Sequence, residues 1–215
     1  KQFLLIDTES DLPNIHNVTF KDNEGSYLIG ALAAMKSKSN VVGFIGGVNN
    51  PVIKRFETGF IAGAKQVNPD VEVLSVFAGD FGDDQLGASI ARDMIEQGAD
   101  YIYPAAGFTG VGSILAAQEA GVHAFGVDSD QFFLAEDTIV SSMMKRVDTA
   151  VYQAIEEIAE VFKEKSVVFH VQENDENSRI VASVIVDYTS FTVYFIANDE
   201  TNDIAVRIPH FVRFK

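Results

Sequence analysis

Short apolar runs alternate with helical stretches along the first 165 positions. Phe3-Leu4-Leu5-Ile6 reads as a buried strand ending at Asp7, and Asn17-Val18-Thr19-Phe20 as a shorter one. Glu24 to Met35 carries small and apolar residues at helical spacing. Val41 to Ile45 is a strand stopped by Gly46-Gly47, and Pro51 stands where a helix begins, with Val52, Phe56, Phe60 and Ala64 recurring every fourth residue. The unit then repeats. Val71 to Phe77 predicts a strand and Asp83 to Gln97 a helix closed by Gly98. Tyr101-Ile102-Tyr103 is a strand, and Thr109 to Glu119 a helix closed by Gly121. Ala124 to Val127 is a strand ending at Asp128, Ile139 to Met144 another, and Arg146 to Lys163 a long amphipathic helix. Strands alternating with helices predict an α/β fold, a parallel sheet covered on both faces in three layers.

After Lys165 the pattern changes. Val167–Gln172, Arg179–Tyr188, Phe191–Ala197 and Asp203–Lys215 are rich in β-branched and aromatic residues, with polar turn clusters at 173–177 and 198–202. The expected division is an α/β lobe over 1–165 and a β-rich, antiparallel segment over 166–215. Whether that segment extends the main sheet or forms a small domain stays open.

Composition narrows the function classes. Against 31 acidic residues stand 16 basic ones, a net charge of −15, and no basic run is present to meet a phosphate backbone; nucleic acid is not an expected partner. The acidity reads as solubility first and substrate steering second. The sequence holds no cysteine, so disulfides, thiolate nucleophiles and Cys-based zinc sites are excluded. No apolar run is long enough to span a membrane as a helix. The chain opens on a strand-like FLLID with no Met, signal peptide or lipobox, which suggests that a segment upstream has been removed.

In open α/β sheets, ligands gather at the carboxyl ends of the strands. The loops that follow the strands here hold Asp7-Thr8, Gly46-Gly47-Val48-Asn49-Asn50, the run 78–83, the run 105–110, Asp128-Ser129-Asp130-Gln131, and Lys145. The glycine loops match neither a dinucleotide fingerprint nor a P-loop and read first as tight turns. Phe81, between Asp80 and Gly82, is either a platform for a flat ring or a lid on a neighbouring loop. Asp128 and Asp130 suggest an acid/base pair, a hard metal site, or one carboxylate accepting from hydroxyls; the last is simplest, because alternate residues of an extended segment face opposite ways. Lys145, just before a helix, reads on its own first as a surface lysine, and second as a hydrogen-bond partner of a ligand or of a rim carboxylate. The four histidines lack ligand spacing, so no metal is expected, and GxSxG and HExxH are absent. The rim reads as recognition rather than catalysis.

These loops carry a resemblance. Glu24-Gly25-Ser26-Tyr27-Leu28, the run 41–73, AGDFGDD (78–84), QGADYIYPAAGFTGVG (97–112), GVDSDQ (126–131) and SSMMKRVDTAVY (141–152) stand in unbroken order. Together they resemble the basic membrane protein / purine nucleoside receptor A family, the substrate-binding lipoproteins of ABC transporters with a type I periplasmic binding protein fold. The resemblance implies a non-enzymatic protein without a cofactor. It would bind a purine or related nucleoside and deliver it to an ABC permease from a lipid-anchored position at the cell surface or in the periplasm. In residues, it implies Phe81 as the stacking ring, Gly107 as the backbone position beside the ligand, Asp128 on the ribose hydroxyls and Lys145 as a hydrogen-bond donor, with Asp7 a weaker match. The family usually reads AAGGTGNG where this chain has Phe108 for a glycine and Val111 for an asparagine, so Phe108 narrows the pocket or adds a second ring. Most of the first lobe, with its partner aromatic, is not in this sequence, and 166–215 carry no family resemblance. A regulatory or protein-interaction module on the same fold is the alternative. A nucleoside hydrolase using Asp128 and Asp130 is a third.

Overall fold

The computed structural model describes residues 3–161, 167–172, 180–187, 192–198 and 203–209. In chain order the elements are β1 (Phe3–Ile6), β2 (Ile15–Val18), α1 (Asp22–Lys36), β3 (Val41–Gly46), α2 (Pro51–Val67), β4 (Glu72–Phe77), α3 (Asp84–Glu96) and β5 (Tyr101–Ala105). They continue with α4 (Gly107–Glu119), β6 (His123–Asp128), a 3-10 turn (Phe132–Leu134), β7 (Ile139–Met144), α5 (Val147–Val161), β8 (Val167–Gln172), β9 (Ile180–Asp187), β10 (Thr192–Asn198) and β11 (Asp203–Pro209). The expected helix end at Lys163, the turn clusters at 173–177 and 199–202, and residues 210–215 lie outside the described residues.

The chain divides into two compact units, Phe20–Arg146 and a second made of 1–19 with 147–215. In the second unit β1 and β2 pair in parallel, Phe3 opposite Ile15, while β8 to β11 form an antiparallel sheet in the order β11-β10-β9-β8.

The unit 20–146 is a five-stranded parallel sheet in the order β4-β3-β5-β6-β7. Alternation along each strand sends side chains to opposite faces. Val42, Phe44, Tyr101, Tyr103, Phe125 and Val127 pack with α1 and α2 in one core cluster. Ile45, Ile102 and Ala124 pack with α3 and α4 in another. The α1/α2 face is aromatic, with Phe60 5.4 Å from Tyr103 and 6.0 Å from Phe44, ring centroid to centroid. Phe44, Phe60 and Phe125 are each fully buried, which contributes about 1.5–3 kcal/mol per ring.

Local signals explain the helix limits. Asn50 accepts from the Ile53 N–H at the start of α2, with Pro51 in the first turn. Gly98 and Gly121 follow α3 and α4 at φ +101° and +70°, a region that favours glycine. Within each helix pair the backbones touch. A Cβ on Gly30, Gly59 or Gly63 would enter a carbonyl of the facing α1 or α2 backbone, and one on Gly87 or Gly112 would do the same between α3 and α4. These contacts fix the helix N-termini, which lie with the strand carboxyl ends on one rim.

Candidate functional site

The strand order reverses direction between β3 and β5: β4 lies on one side of β3, while β5, β6 and β7 extend on the other. A crevice opens at such a switch point, outside the carboxyl ends of the strands. Gly46-Gly47 leaves β3 there and Ala106-Gly107 leaves β5. The loop between β4 and α3 crosses the same place. The Phe81 ring lies directly over Gly47, where a Cβ on residue 47 would overlap it. It also borders Gly107, whose added Cβ would stand 3.1 Å from the Phe81 carbonyl oxygen. Gly107 has φ +57° as it turns from strand to helix. Phe81 remains 39% exposed, so the residue is packed against these glycines and still partly open to solvent.

Thr109 holds this loop. Its N–H donates to the Phe81 carbonyl at 3.0 Å, and its Oγ1 accepts from the Asp83 N–H at 2.9 Å and donates to the Asp80 carbonyl at 3.1 Å. Asp83 in turn caps α3 by accepting from the Leu86 N–H. In sequence Thr109 reads only as a helix start. Its hydroxyl is fully buried under a polar loop, an arrangement visible only once α4 meets the loop after β4.

Asp128 and Lys145 come together on the next two strands. Asp128 ends β6 at φ +63°, and the Lys145 N–H donates to its carbonyl at 2.8 Å. Neighbouring strands are about 4.8 Å apart, so the Phe81/Gly107 and Asp128/Lys145 positions are adjacent stations on one edge. Phe108 follows Gly107 at the start of α4 and is 57% exposed. Asp130 serves its own loop, where its Oδ1 accepts from the Phe132 N–H at 3.1 Å and the Ser142 hydroxyl at 3.3 Å and so shapes the 3-10 turn. Asp7, at φ +65° with its N–H bonded to the Val18 carbonyl, belongs to the other unit.

Beneath this edge lie charges that no sequence motif marks. Asp22, in the first turn of α1, is fully buried; its Oδ2 accepts from Arg55 Nε at 3.1 Å and Nη2 at 2.8 Å, and Lys145 Nζ lies 3.3 Å from Oδ1. Close by, the Tyr103 hydroxyl and Ser26 Oγ share a hydrogen bond of 3.2 Å. Burial pushes the Tyr103 phenol up from its ordinary range, and the carboxylates of Asp128 and Asp22 push it further while the Ser26 bond opposes them. The phenol is therefore protonated at neutral pH. An Asp opening a helix reads in sequence as a dipole partner, and nothing in the spacing of 22, 55 and 145 links the three.

Comparison with known proteins agrees with this architecture. The family model described as ABC transporter substrate-binding protein PnrA-like matches residues 1–173. Basic membrane protein D of Borreliella burgdorferi is 41% identical over 141 residues, 65% of this chain and 41% of its own length. The CD4+ T-cell-stimulating antigen of Listeria monocytogenes is 41% identical over 167 residues, 70% of this chain and 47% of its own. The chain thus spans less than half the length of these relatives. Among solved structures, an ABC transporter solute-binding protein from Aeropyrum pernix superposes with TM-score 0.69 at 30% identity, covering 75% of this chain and 49% of its own. A transcriptional activator of the comK gene from Bacillus halodurans superposes with TM-score 0.67 at 25% identity, covering 74% and 55%. With the family model matched over most of its length and a parallel α/β lobe like that of solute-binding proteins, the chain belongs to the PnrA-like family of ABC transporter substrate-binding proteins.

Proposed function

We propose that the unit 20–146 is a ligand-gripping lobe for a nucleoside, a purine nucleoside before others, in a protein that delivers its ligand to an ABC permease without chemical change. The observation that supports the reading most is the pairing of a partly exposed ring with polar groups on the adjoining strands. Phe81 lies over Gly47 and beside Gly107, with Asp128 and Lys145 on the adjoining strands. Stacking supplies affinity for any flat base, and a carboxylate on the ribose hydroxyls rejects ligands that lack the sugar. Phe108 adds a second exposed ring at the same edge. Asp130 shapes the loop that carries Asp128. In the whole protein the lobe would work outside the cytoplasmic membrane, held by a lipid. No helix among the described residues is long and apolar enough to cross a membrane.

Calorimetric titration of the 215-residue chain with inosine, guanosine and adenosine tests this reading. Saturable binding that Phe81→Ala and Asp128→Ala each weaken supports it; turnover of the nucleoside counts against it. A second reading, a regulatory module on the same fold, draws on the similarity to the comK activator. A well-folded chain that binds no nucleoside favours that one.

A further inference from the structure

Lys145 does not stand alone at the rim. Its Nζ lies 5.0 Å from the centroid of the Phe20 ring and 5.5 Å from that of Phe56, and its side chain is 5% exposed. Ring faces attract an ammonium, but a cation taken this far out of water needs a counter-charge. Asp22 supplies it from 3.3 Å. Asp22 is itself fully buried, and its Oδ1 accepts no hydrogen bond of good geometry, so the electrostatic contact with Lys145 is what offsets the burial of that oxygen. Its other oxygen is held by two N–H groups of Arg55. The groups therefore form a chain across three elements: Arg55 on α2, Asp22 on α1, and Lys145 just past β7. The Tyr103 phenol feels the carboxylates of both Asp22 and Asp128, and the Lys145 N–H donates to the Asp128 carbonyl.

A buried ion pair of this kind seldom adds much stability over well-packed apolar residues. It does fix geometry, since a lysine stem is otherwise flexible along its four carbons. We propose that Asp22, itself fixed by Arg55, is a positioning residue for ligand recognition: it sets where the Lys145 ammonium stands at the carboxyl edge of the sheet. The inference rests on the reading of Lys145 as a nucleoside contact, and it would make Asp22 and Arg55 determinants of affinity although neither need touch the ligand.

The test is a double-mutant cycle on inosine binding by the full chain, with a second readout that needs no ligand. Asp22→Asn keeps the shape of the side chain and removes its charge. In the parent it should lower inosine affinity about tenfold, the scale of one charge-assisted hydrogen bond; with Lys145→Met already present it should change affinity less than about twofold. A purely structural role lowers affinity equally in both backgrounds and overturns the proposal. The second readout is the Lys145 ammonium resonance in nitrogen-detected NMR, assigned by its loss in Lys145→Met. Shielded by Asp22 and the two rings, it should be sharp in the parent and broadened or shifted in Asp22→Asn; an unchanged resonance also overturns the proposal. If Lys145→Met binds inosine as the parent does, the ligand role of Lys145 fails, while the resonance still reports on the Asp22 link. Should Asp22→Asn not fold, Arg55→Gln keeps the carboxylate but removes its clamp. It should weaken binding by a smaller factor, about threefold, and only when Lys145 is present. Equal weakening in the Lys145→Met protein overturns the proposal as well.

Discussion

Gly47→Ala separates the position of the Phe81 ring from its presence. Gly47 is not among the glycines at positive φ, so alanine fits the backbone there and the only new element is a methyl group under the ring. Two responses compete. If the ring were locked, the methyl would act as overpacking and cost about 1–3 kcal/mol of stability. Phe81 is 39% exposed, so the ring can shift toward solvent instead. Stability should then fall by less than about 1 kcal/mol, the scale of an off-rotamer side chain. The loss should appear in binding. Offset or edge stacking contributes about 0.5–1.5 kcal/mol beyond burial, so losing it weakens nucleoside affinity roughly 2- to 10-fold. Phe81→Ala should weaken it at least as much, because burial is lost too. Thermal melts and calorimetric titrations of parent, Gly47→Ala and Phe81→Ala measure both quantities. Unchanged affinity in Gly47→Ala, alongside a clear loss in Phe81→Ala, refutes the claim that Gly47 sets the ring.

Three further outcomes follow from the same contacts. Thr109→Val removes the hydroxyl that bridges Asp80 and Asp83; both loop residues are exposed, so water replaces part of the loss and denaturant titration should show about 1–2 kcal/mol of destabilisation, with weaker nucleoside binding. Gly63→Ala should reverse the usual sign: in a helix the change ordinarily stabilises by about 0.5–1 kcal/mol, but here the methyl enters the Tyr27 carbonyl, and chemical denaturation should show a net loss of about 1–3 kcal/mol. For Asp100, burial raises the carboxyl, but the Ser37 hydroxyl and the Lys38 and Ser39 N–H groups outweigh it and hold the pKa below the ordinary 3.8. A folded-state pKa below the unfolded one contributes stability above 3.8 that is lost as pH falls through the folded value. Asp100→Asn should therefore destabilise at neutral pH, with the gap from the parent closing below pH 3.8 in acid-melt series.

Much of the parallel lobe was legible because its signals are local. Pro51 after Asn50 starts α2, Gly98 and Gly121 mark the ends of α3 and α4, and the fourfold spacing of Phe56, Phe60 and Ala64 marks a buried face. The second strand shows where local reading fails. The apolar run Asn17–Phe20 suggests a strand there, but β2 occupies Ile15–Val18 because its partner sets the register, Phe3 with Ile15 and Ile6 with Val18. Phe20 instead lies against the Lys145 ammonium. At the site, Phe81 and Gly107 were visible as a ring and a glycine in neighbouring loops, but the support beneath them was not. Gly47 reads as a turn residue until the ring lies over it, and Thr109 as a helix start until its hydroxyl meets the loop after β4. Asp22, Arg55 and Lys145 are brought together by the meeting of α1, α2 and β7, a tertiary event without a sequence period.

The central claim is that this lobe grips a nucleoside at the carboxyl edge of its sheet. Amide-detected NMR of the isotopically labelled chain during titration with inosine tests it most directly. Saturable shifts should concentrate at Gly47, Phe81, Gly107, Phe108, Asp128 and Lys145, with the opposite edge of the sheet around Asn40, Asp100 and Val122 unmoved. Saturable shifts centred away from the carboxyl edge, or none up to the solubility limit of the nucleoside in a well-folded chain, would contradict it.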